Sequence, residues 1–380
     1  MSQCPIRPKV VHEFVAQFIG ETLHAKQVES IADATVGALH APTASIAAIG
    51  RASARARGKH DKHAIKQVDR MLSNDRIRTD RVFDSYVRGV VGGRREVVAV
   101  IDWSDYAYSG HSKIAISLVT RHGRATPLVW LTVHTSKLKK RRASYEMRVL
   151  RMLKWALPEG VRVTILADRG FGDTALYKQM TELLRFDFVI RFRGGIHVMT
   201  PEGESRPASE WVASNGRATQ ILNARLTTHR VPIASVVTVK RKGMKEPWIL
   251  ATSRTDDAET IIRLYAKRFS IEETFRDHKD WRFGLGLGHM RIKDPARRDR
   301  MLLVLALTTL IATLLGAAGE HLGIDRLLKA NTKRSRTHSL FRQGREYIAG
   351  VPRAVADSLL DHVRTLLRHH PRNAEIFATI

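Results

Sequence analysis

The sequence predicts a mixed α/β fold, in which a sheet carries helices on its faces, a β-rich segment is inserted, and both ends of the chain are helical. The period of the apolar residues is helical over residues 8–75, becomes typical of strands near Gly92 and Gly93, and is helical again toward the C-terminus. Between residues 96 and 194 the segments run in the order three strands, helix, strand, helix, strand. A short run of strands followed by alternating helices and strands indicates a mixed sheet covered by helices.

The first region, residues 1–95, is predicted to be a helical domain with a basic surface. Apolar residues recur at helical spacing in two stretches, at Val11, Phe14, Val15, Phe18 and Ile19 and at Val28, Ile31, Ala32, Val36 and Leu39. Residues 51–95 then carry 13 Lys/Arg against 5 Asp/Glu, most densely in RASARARGKHDKHAIKQVDR. Such a run is either a solvated helix face or a contact surface for the DNA backbone, and a chain this basic favours DNA.

The next region, residues 96–194, is predicted to form the first part of the sheet with its helices. Its strands and helices are, in order, EVVAVIDWSDY, KIAISLVTRHG, TPLVWLTVHT, the helix RRASYEMRVLRMLKWAL, RVTILADRGFGD, the helix TALYKQMTELLR, and FDFVIRFRG. We expect the first strand to end at Asp102 and the fourth to end at Asp168. Residues 195–255 hold the strand-like stretches GIHVM, TQILNARL, SVVTVKR and PWILATS, and predict an inserted β-rich subdomain.

Helices are predicted for the rest of the chain: residues 256–320 complete the core, and residues 321–380 form a basic C-terminal region. One segment in the first of these, MLLVLALTTLIATLLGAAG at residues 301–319, runs for 19 residues without a charge. That length meets the criterion for a helix that spans a membrane. The segment stands alone, contains three threonines and follows the basic KDPARRDR. A buried core helix is therefore the favoured interpretation, with a membrane location as the alternative.

The charge of the chain indicates a polyanionic partner. The sequence has 64 Lys+Arg against 37 Asp+Glu, a formal net charge of +27, and 43% hydrophobic residues. A folded protein with so large a basic excess binds nucleic acid as the first candidate and an anionic membrane surface as the second. The single cysteine, Cys4, excludes an internal disulfide and fits a reducing cytoplasm.

Two aspartates, Asp102 and Asp168, are predicted at the carboxyl ends of apolar strands, which is where α/β sheets bind ligands. A carboxylate in that position costs free energy unless it is paired or binds a metal. Either residue alone could be a turn or cap residue. A glutamate on a later helix would add a third carboxylate. Three carboxylates at a sheet edge suit Mg²⁺, and in a very basic protein two such ions about 4 Å apart would act on phosphodiesters.

The glutamate is in LYAKRFSIEETFRDHKDW, residues 264–281. Tyr265, Arg268, Glu272 and Lys279 have the spacing i, i+3, i+7 and i+14, and therefore lie within roughly 60° of one another on a helix. Glu273 points about 80° away from Tyr265. The alternative is a solvated charged helix with i,i+3 and i,i+4 pairs.

These motifs resemble the DDE transposases of bacterial insertion sequences. IDWSD, ILADRGFGD and the pattern Y-x2-R-x3-E-x6-K are similar to the insertion-sequence-four family, which a Tyr-Arg-Glu-Lys signature defines. WILATSRTDDAETIIRLYAKRFSIEETFRDHK and GLGLGHMRIKDPARRDR resemble further segments of that family, so that the resemblance covers roughly residues 95–320. It implies an RNase H-like catalytic core, with residues 96–194 and 256–320 as its two parts and a β-rich insertion between them.

The resemblance also implies roles for individual residues. Asp102, Asp168 and Glu272 would be the catalytic, metal-binding triad, with Mg²⁺ as the ion and Mn²⁺ as its substitute. Tyr265, Arg268 and Lys279 would bind DNA phosphates, Tyr265 through its hydroxyl, Arg268 through two N–H groups of its guanidinium and Lys279 through its ammonium. Trp248 matches the position at which relatives that form hairpin DNA ends stack a flipped base, and a packed strand tryptophan is the alternative. Three neighbouring acids, Glu273, Asp105 and Asp173, compete for the triad positions.

The function implied is that of a DNA transposase in the bacterial cytoplasm, associated with the nucleoid. It would bind the terminal inverted repeats of its element as a homodimer, cleave the DNA and join the 3′ ends to target DNA, by a cut-and-paste route with or without hairpin ends. Three alternatives stay open: a non-catalytic DNA-binding regulator derived from a transposase, another RNase H-like nuclease such as a resolvase, and a membrane-surface protein.

Overall fold

The computed structural model describes residues 7–282 and 284–350, with residues 358, 359, 361 and 362. Within that part of the chain the α-helices are α1 Pro8–Ile19, α2 Ala25–His40, α3 Ile46–Arg57, α4 Asp61–Ser73, α5 Thr79–Val91, α6 Arg142–Ala156, α7 Thr174–Lys178, α8 Ala258–Ala266, α9 Ser270–Lys279, α10 Pro295–His321 and α11 Leu340–Gly350. The strands are β1 Glu96–Tyr106, β2 His111–Val119, β3 Ala125–His134, β4 Arg162–Ala167, β5 Asp187–Arg191, β6 His197–Met199, β7 Ser205–Pro207, β8 Thr219–Leu222, β9 Arg225–Leu226, β10 Val231–Pro232, β11 Ser235–Val239 and β12 Trp248–Thr252.

The main sheet has eight strands in the order β3-β2-β1-β4-β5-β12-β11-β8. Strands β1, β4 and β5 run parallel, and the other neighbours pair antiparallel. Helices cover both faces. This arrangement confirms the predicted mixed α/β sheet with flanking helices and is an RNase H-like fold.

The first strand is longer than the sequence predicted. It continues four residues beyond Asp102, to Tyr106, because strand β2 keeps pairing with it as far as Tyr106 and His111. The parallel partner on the other side, β4, stops earlier, at Ala167. Asp102 is therefore not the last residue of β1, but it lies where β1 loses its parallel neighbour.

Residues 195–255 contribute to two sheets. Strands β6, β7, β9 and β10 form a separate four-stranded sheet in the order β10-β9-β6-β7, whereas β8, β11 and β12 extend the main sheet. The predicted C-terminal helical region, residues 321–380, is described only in part, since residues 351–357, 360 and 363–380 lie outside the described residues. The proposed division of the chain into domains stays a prediction.

The apolar core lies on both faces of the sheet. On one face, β-strand residues such as Val100 and Leu166 pack against Ile261, Tyr265 and Ile271 of α8 and α9. On the other face, a single cluster joins α1–α5, the sheet, α6 and α10. Two aromatic contacts tie the N-terminal helices to β3: the Phe83 and Trp130 rings lie 4.7 Å apart edge to face, and the Tyr86 hydroxyl donates to the Pro127 carbonyl at 2.9 Å.

The uncharged segment at residues 301–319 lies in α10. Among the described residues, α10 is the one helix that is long and apolar enough to cross a membrane, and 89% of its most apolar window is buried inside the protein. It packs against α2, α11 and β3. The favoured prediction of a core helix therefore agrees with its burial. Gly344 permits the close approach of α11, because a Cβ atom there would overlap the Ala312 carbonyl.

Candidate active site

The two predicted aspartates are brought together by the register of β1 and β4. The strands pair from Glu96 with Arg162 through Val100 with Leu166. Extending that register by two residues sets Asp102 beside Asp168. Since side chains alternate along a strand, both aspartates point to the same face of the sheet as Val100 and Leu166, which is the face that α8 and α9 cover.

The predicted helix that carries the glutamate consists of three segments: α8, a 3₁₀ turn Lys267–Phe269, and α9. The Arg268 guanidinium donates to the Glu272 carboxylate at 2.6 Å and lies 3.7 Å from the Asp102 carboxylate. Arg268 is held firmly, since its side chain is 9% exposed. The structure thus brings Asp102, Arg268 and Glu272 together, with the arginine between two carboxylates.

The pKa of Asp102 reflects its burial and the charges of its neighbours. Burial raises the pKa of Asp102 to about 6, and the negative charges of Asp168 and Glu272 add to that effect. The Arg268 cation and a hydrogen bond from the Trp103 backbone N–H act in the opposite direction. A carboxylate that is partly desolvated next to two others is stabilised in its charged form by any cation that enters the site.

The side chains fit a divalent metal by their chemistry, although their positions are not those of a preformed metal site. In the part of the chain that the structure describes, no three acidic, histidine or cysteine side chains are grouped closely enough to hold an ion. Arg268 lies between Asp102 and Glu272, and Asp168 accepts a hydrogen bond from the Gly170 N–H at 2.8 Å. Three carboxylates are nevertheless the oxygen donors that Mg²⁺ and Mn²⁺ prefer.

The three competing acids each have another partner. Glu273 pairs with Arg276 at 3.0 Å, on the other side of α9 from Arg268. Asp105 accepts a hydrogen bond at 2.6 Å from a serine hydroxyl on β2. Asp173 caps α7 by accepting from a backbone N–H at 2.9 Å. Glu272 and Asp168 have partners of the same kinds, in Arg268 and the Gly170 N–H, so the assignment of Asp102, Asp168 and Glu272 as the triad stays a prediction.

The remaining predicted DNA-binding residues lie around this group. Lys279 donates to the Asp105 carbonyl at 2.6 Å, and its ammonium lies 5.0 Å from the Tyr106 ring centroid. Tyr265 is 2% exposed, so its ring belongs to the core below the carboxylates. Trp248 begins β12 and is half-buried, with its ring 5.0 Å from that of Tyr265 in an edge-to-face contact. These contacts assign packing roles to both aromatic rings and leave their DNA contacts a prediction.

A fourth carboxylate, Glu146 on α6, was missed by the sequence reasoning. It is 6% exposed and accepts a hydrogen bond from the Trp103 indole N–H at 2.9 Å. Burial raises the pKa of Glu146, and the nearby charges of Asp173 and Asp168 act in the same sense. The sequence contained a signal for it: Glu146 lies in the apolar stripe of a predicted amphipathic helix, where an acid is rarely buried without a partner.

An RNase H-like sheet with two aspartates on neighbouring strands and a glutamate on a covering helix is the arrangement of enzymes that cut DNA with the help of divalent metals. The family model of the transposase DDE domain matches residues 98–311, which is more than half of the chain. The chain therefore belongs to the DDE transposase domain family, and DNA is its partner. No curated protein matches the chain significantly.

Proposed function

We propose that this protein is a cut-and-paste transposase of the insertion-sequence-four family. It binds the inverted-repeat ends of its element, hydrolyses phosphodiester bonds there, and joins the freed 3′ ends to target DNA, with or without a hairpin intermediate. The observation that carries the proposal is that β1 and β4 place Asp102 beside Asp168, while Arg268 links Asp102 to Glu272 on the covering helix. The Tyr-Arg-Glu-Lys pattern supports this particular family.

Each residue has a defined part in the proposed reaction. Asp102, Asp168 and Glu272 hold Mg²⁺, or Mn²⁺ in its place; when bound, two such ions activate the attacking oxygen and stabilise the leaving one. Arg268 neutralises Asp102 and Glu272 until a phosphate arrives, and can then bind that phosphate through two N–H groups. Lys279 supplies a second positive charge about two turns along α9 from Glu272.

The N-terminal helices supply a surface for the element ends. Lys26, Lys66 and Arg70 line one cleft between α2 and α4, with a volume of about 600 Å³. Cations that converge on a cleft of this size suit a DNA phosphate, and such contacts position DNA without reading its sequence. We propose that residues 1–95 hold the inverted repeat, that the DNA complex is a homodimer, and that it acts in the bacterial cytoplasm.

The test is cleavage of a DNA duplex that carries the inverted repeats flanking the gene. Asp102→Asn, Asp168→Asn and Glu272→Gln should each abolish Mg²⁺-dependent nicking while leaving binding to the repeat nearly unchanged. Glu273→Gln is the matched control and should keep most of the activity. Nicking retained by one of the three variants would remove that residue from the site. A wild-type protein that binds the repeat and cuts nothing with Mg²⁺ or Mn²⁺ would identify a regulator instead.

A further inference from the structure

Helix α6 and the turn before it carry a strongly basic surface that the proposed active site does not use. Residues 137–154 contain eight exposed cations: Lys137, Lys139, Lys140, Arg141, Arg142, Arg148, Arg151 and Lys154. The one acid in this span, Glu146, is buried. Within the described part of the chain, none of the eight forms an ion pair. Eight exposed positive charges in so short a segment repel one another and suit a polyanionic partner.

Part of this surface is a straight stripe along α6. Ser144, Arg148, Arg151 and Trp155 follow at i, i+4, i+7 and i+11, which places them within about 60° of one another around the helix. Trp155 is 76% exposed. The four residues line a groove of about 740 Å³ between α5 and α6. A helix of 15 residues is about 22 Å long, which matches about six base pairs of duplex DNA.

Two acids on the opposite wall of the groove do not cancel this charge. Asp80 and Asp84 of α5 line the groove, but each already pairs with an arginine. Asp80 pairs with Arg78 at 2.6 Å and Asp84 pairs with Arg88 at 3.3 Å. The α5 wall is therefore close to neutral, and the cations of α6 determine the potential of the groove.

The basic surface begins near the active-site edge of the sheet, on the face opposite to the Asp102 side chain. The Arg142 guanidinium lies 5.2 Å from the centroid of the Trp103 ring, and Trp103 follows Asp102 in the chain. The same indole donates to Glu146, one turn further along α6. DNA that lies along the exposed side of α6 would therefore reach the active-site edge at the beginning of this helix.

We propose that residues 137–142 and the exposed face of α6 bind the sugar–phosphate backbone of duplex DNA next to the active site. Contacts from these cations to phosphate and sugar would position the DNA and carry no sequence information directly. This inference rests on the proposed function in one respect: the DNA held here is either the element end or the target. Both have the same backbone chemistry.

The test uses the full-length protein with Arg141→Gln, Arg148→Gln and Arg151→Gln combined. We measure its affinity for a labelled DNA duplex of unrelated sequence over a range of salt concentrations. Each lost phosphate contact removes about 0.9 from the slope of log affinity against log salt, so three should make the slope shallower by about 2.7. If the difference closes at about 1 M salt, affinity at about 0.1 M should fall by about 2.7 orders of magnitude, or about 500-fold.

A matched control removes three exposed cations elsewhere. Arg185, Arg263 and Lys267 are exposed, and none of them forms an ion pair within the described residues. Arg263 and Lys267 line the cleft beside the first residues of β4 and β5, and Arg185 precedes β5. Changing all three to Gln alters the net charge by the same amount and should leave the slope unchanged. Equal slopes for the α6 variant and the wild type would overturn the proposal. So would equal losses in both variants, or a change in oligomeric mass without a change in DNA affinity.

Two activity measurements then identify which DNA lies on α6. Loss of nicking at the inverted repeat assigns the surface to the element end. Loss of joining with precut ends, with nicking intact, assigns it to the target. The binding measurement needs no catalysis, so an inactive triad would refute the proposed function and leave this test in place.

Discussion

Replacing Trp248 with alanine separates its two predicted roles, because the structure shows how much of the ring is used for packing. The ring is half-buried and contacts Tyr265 edge to face at 5.0 Å and Phe269 at 6.1 Å. A fully buried tryptophan loses about 3–5 kcal/mol on truncation to alanine, so a half-buried one should lose about 2 kcal/mol of unfolding free energy. The edge-to-face contact accounts for about 0.5–1.5 kcal/mol of it.

The half of the ring that is not packed is what a flipped base would meet. Stacking on an aromatic ring contributes about 1–3 kcal/mol per base. We therefore expect Trp248→Ala to lower hairpin formation about 10- to 100-fold, since each 1.36 kcal/mol corresponds to a factor of ten. The first nick needs no extruded base and should keep nearly its wild-type rate.

Nicking, hairpin yield and thermal unfolding should be measured on the same purified protein. Trp248→Phe should restore much of the hairpin yield, and Trp281→Ala, which removes a ring that is 57% exposed, should change neither step. A folded Trp248→Ala protein with normal hairpin yield would refute the stacking role. Parallel loss of nicking and hairpin formation, with a large fall in melting temperature, would assign the residue to packing alone.

Three further results are expected. In the full-length protein, Lys66→Gln combined with Arg70→Gln should weaken binding to the inverted repeat and make the slope of log affinity against log salt shallower by about 1.8. A double variant with the wild-type slope would show that the repeat binds elsewhere. Chelation with EDTA should stop nicking but not binding, and Mg²⁺ or Mn²⁺ should restore it; nicking in EDTA would contradict a metal role. Burial raises the pKa of Asp299 from 3.8 to about 7, so the folded state keeps a proton that the unfolded state has released. The contribution of Asp299 to stability should therefore fall as pH rises from about 4 to about 7, by up to about 1.4 kcal/mol per unit, and Asp299→Asn should remove that contribution in denaturant titrations at several pH values. Lys113, whose pKa burial lowers to about 7, should give the opposite slope above that range, so an unchanged slope in Asp299→Asn below pH 7 would show that Asp299 is not the group responsible.

The sequence predicted the centre of the sheet well because the relevant signals are local. The apolar runs before Asp102 and Asp168 are buried strands, and the parallel pairing of β1 with β4 then places the two aspartates side by side. The spacing of Arg268 and Glu272 predicted one helix face, and an i,i+4 contact survives although a 3₁₀ turn interrupts the helix.

Tertiary packing decided what the sequence left unpredicted. Strands β11 and β12 were expected in a separate subdomain, but β12 pairs with β5 and continues the main sheet. The sequence analysis noted the basic run KDPARRDR, residues 293–300, only as the flank of the apolar segment. Arg298 within it is fully buried, where its guanidinium donates to His111 and to Ser109. Neither outcome follows from periodicity, because each depends on a partner more than 50 residues away in the sequence.

The single apolar cluster that joins the N-terminal helices to the sheet and α10 has a consequence for distance along DNA. Domains connected by linkers move relative to each other, whereas elements that share a core keep a fixed separation. If α2 and α4 hold the repeat, the distance from that contact to the carboxylates is fixed by the protein. A base pair inserted between the bound sequence and the cut would move the DNA by about 3.4 Å and turn it by about a tenth of a helical turn. The cut should then stay at the same distance from the bound sequence, which is one nucleotide closer to that sequence than the original cleavage site now lies.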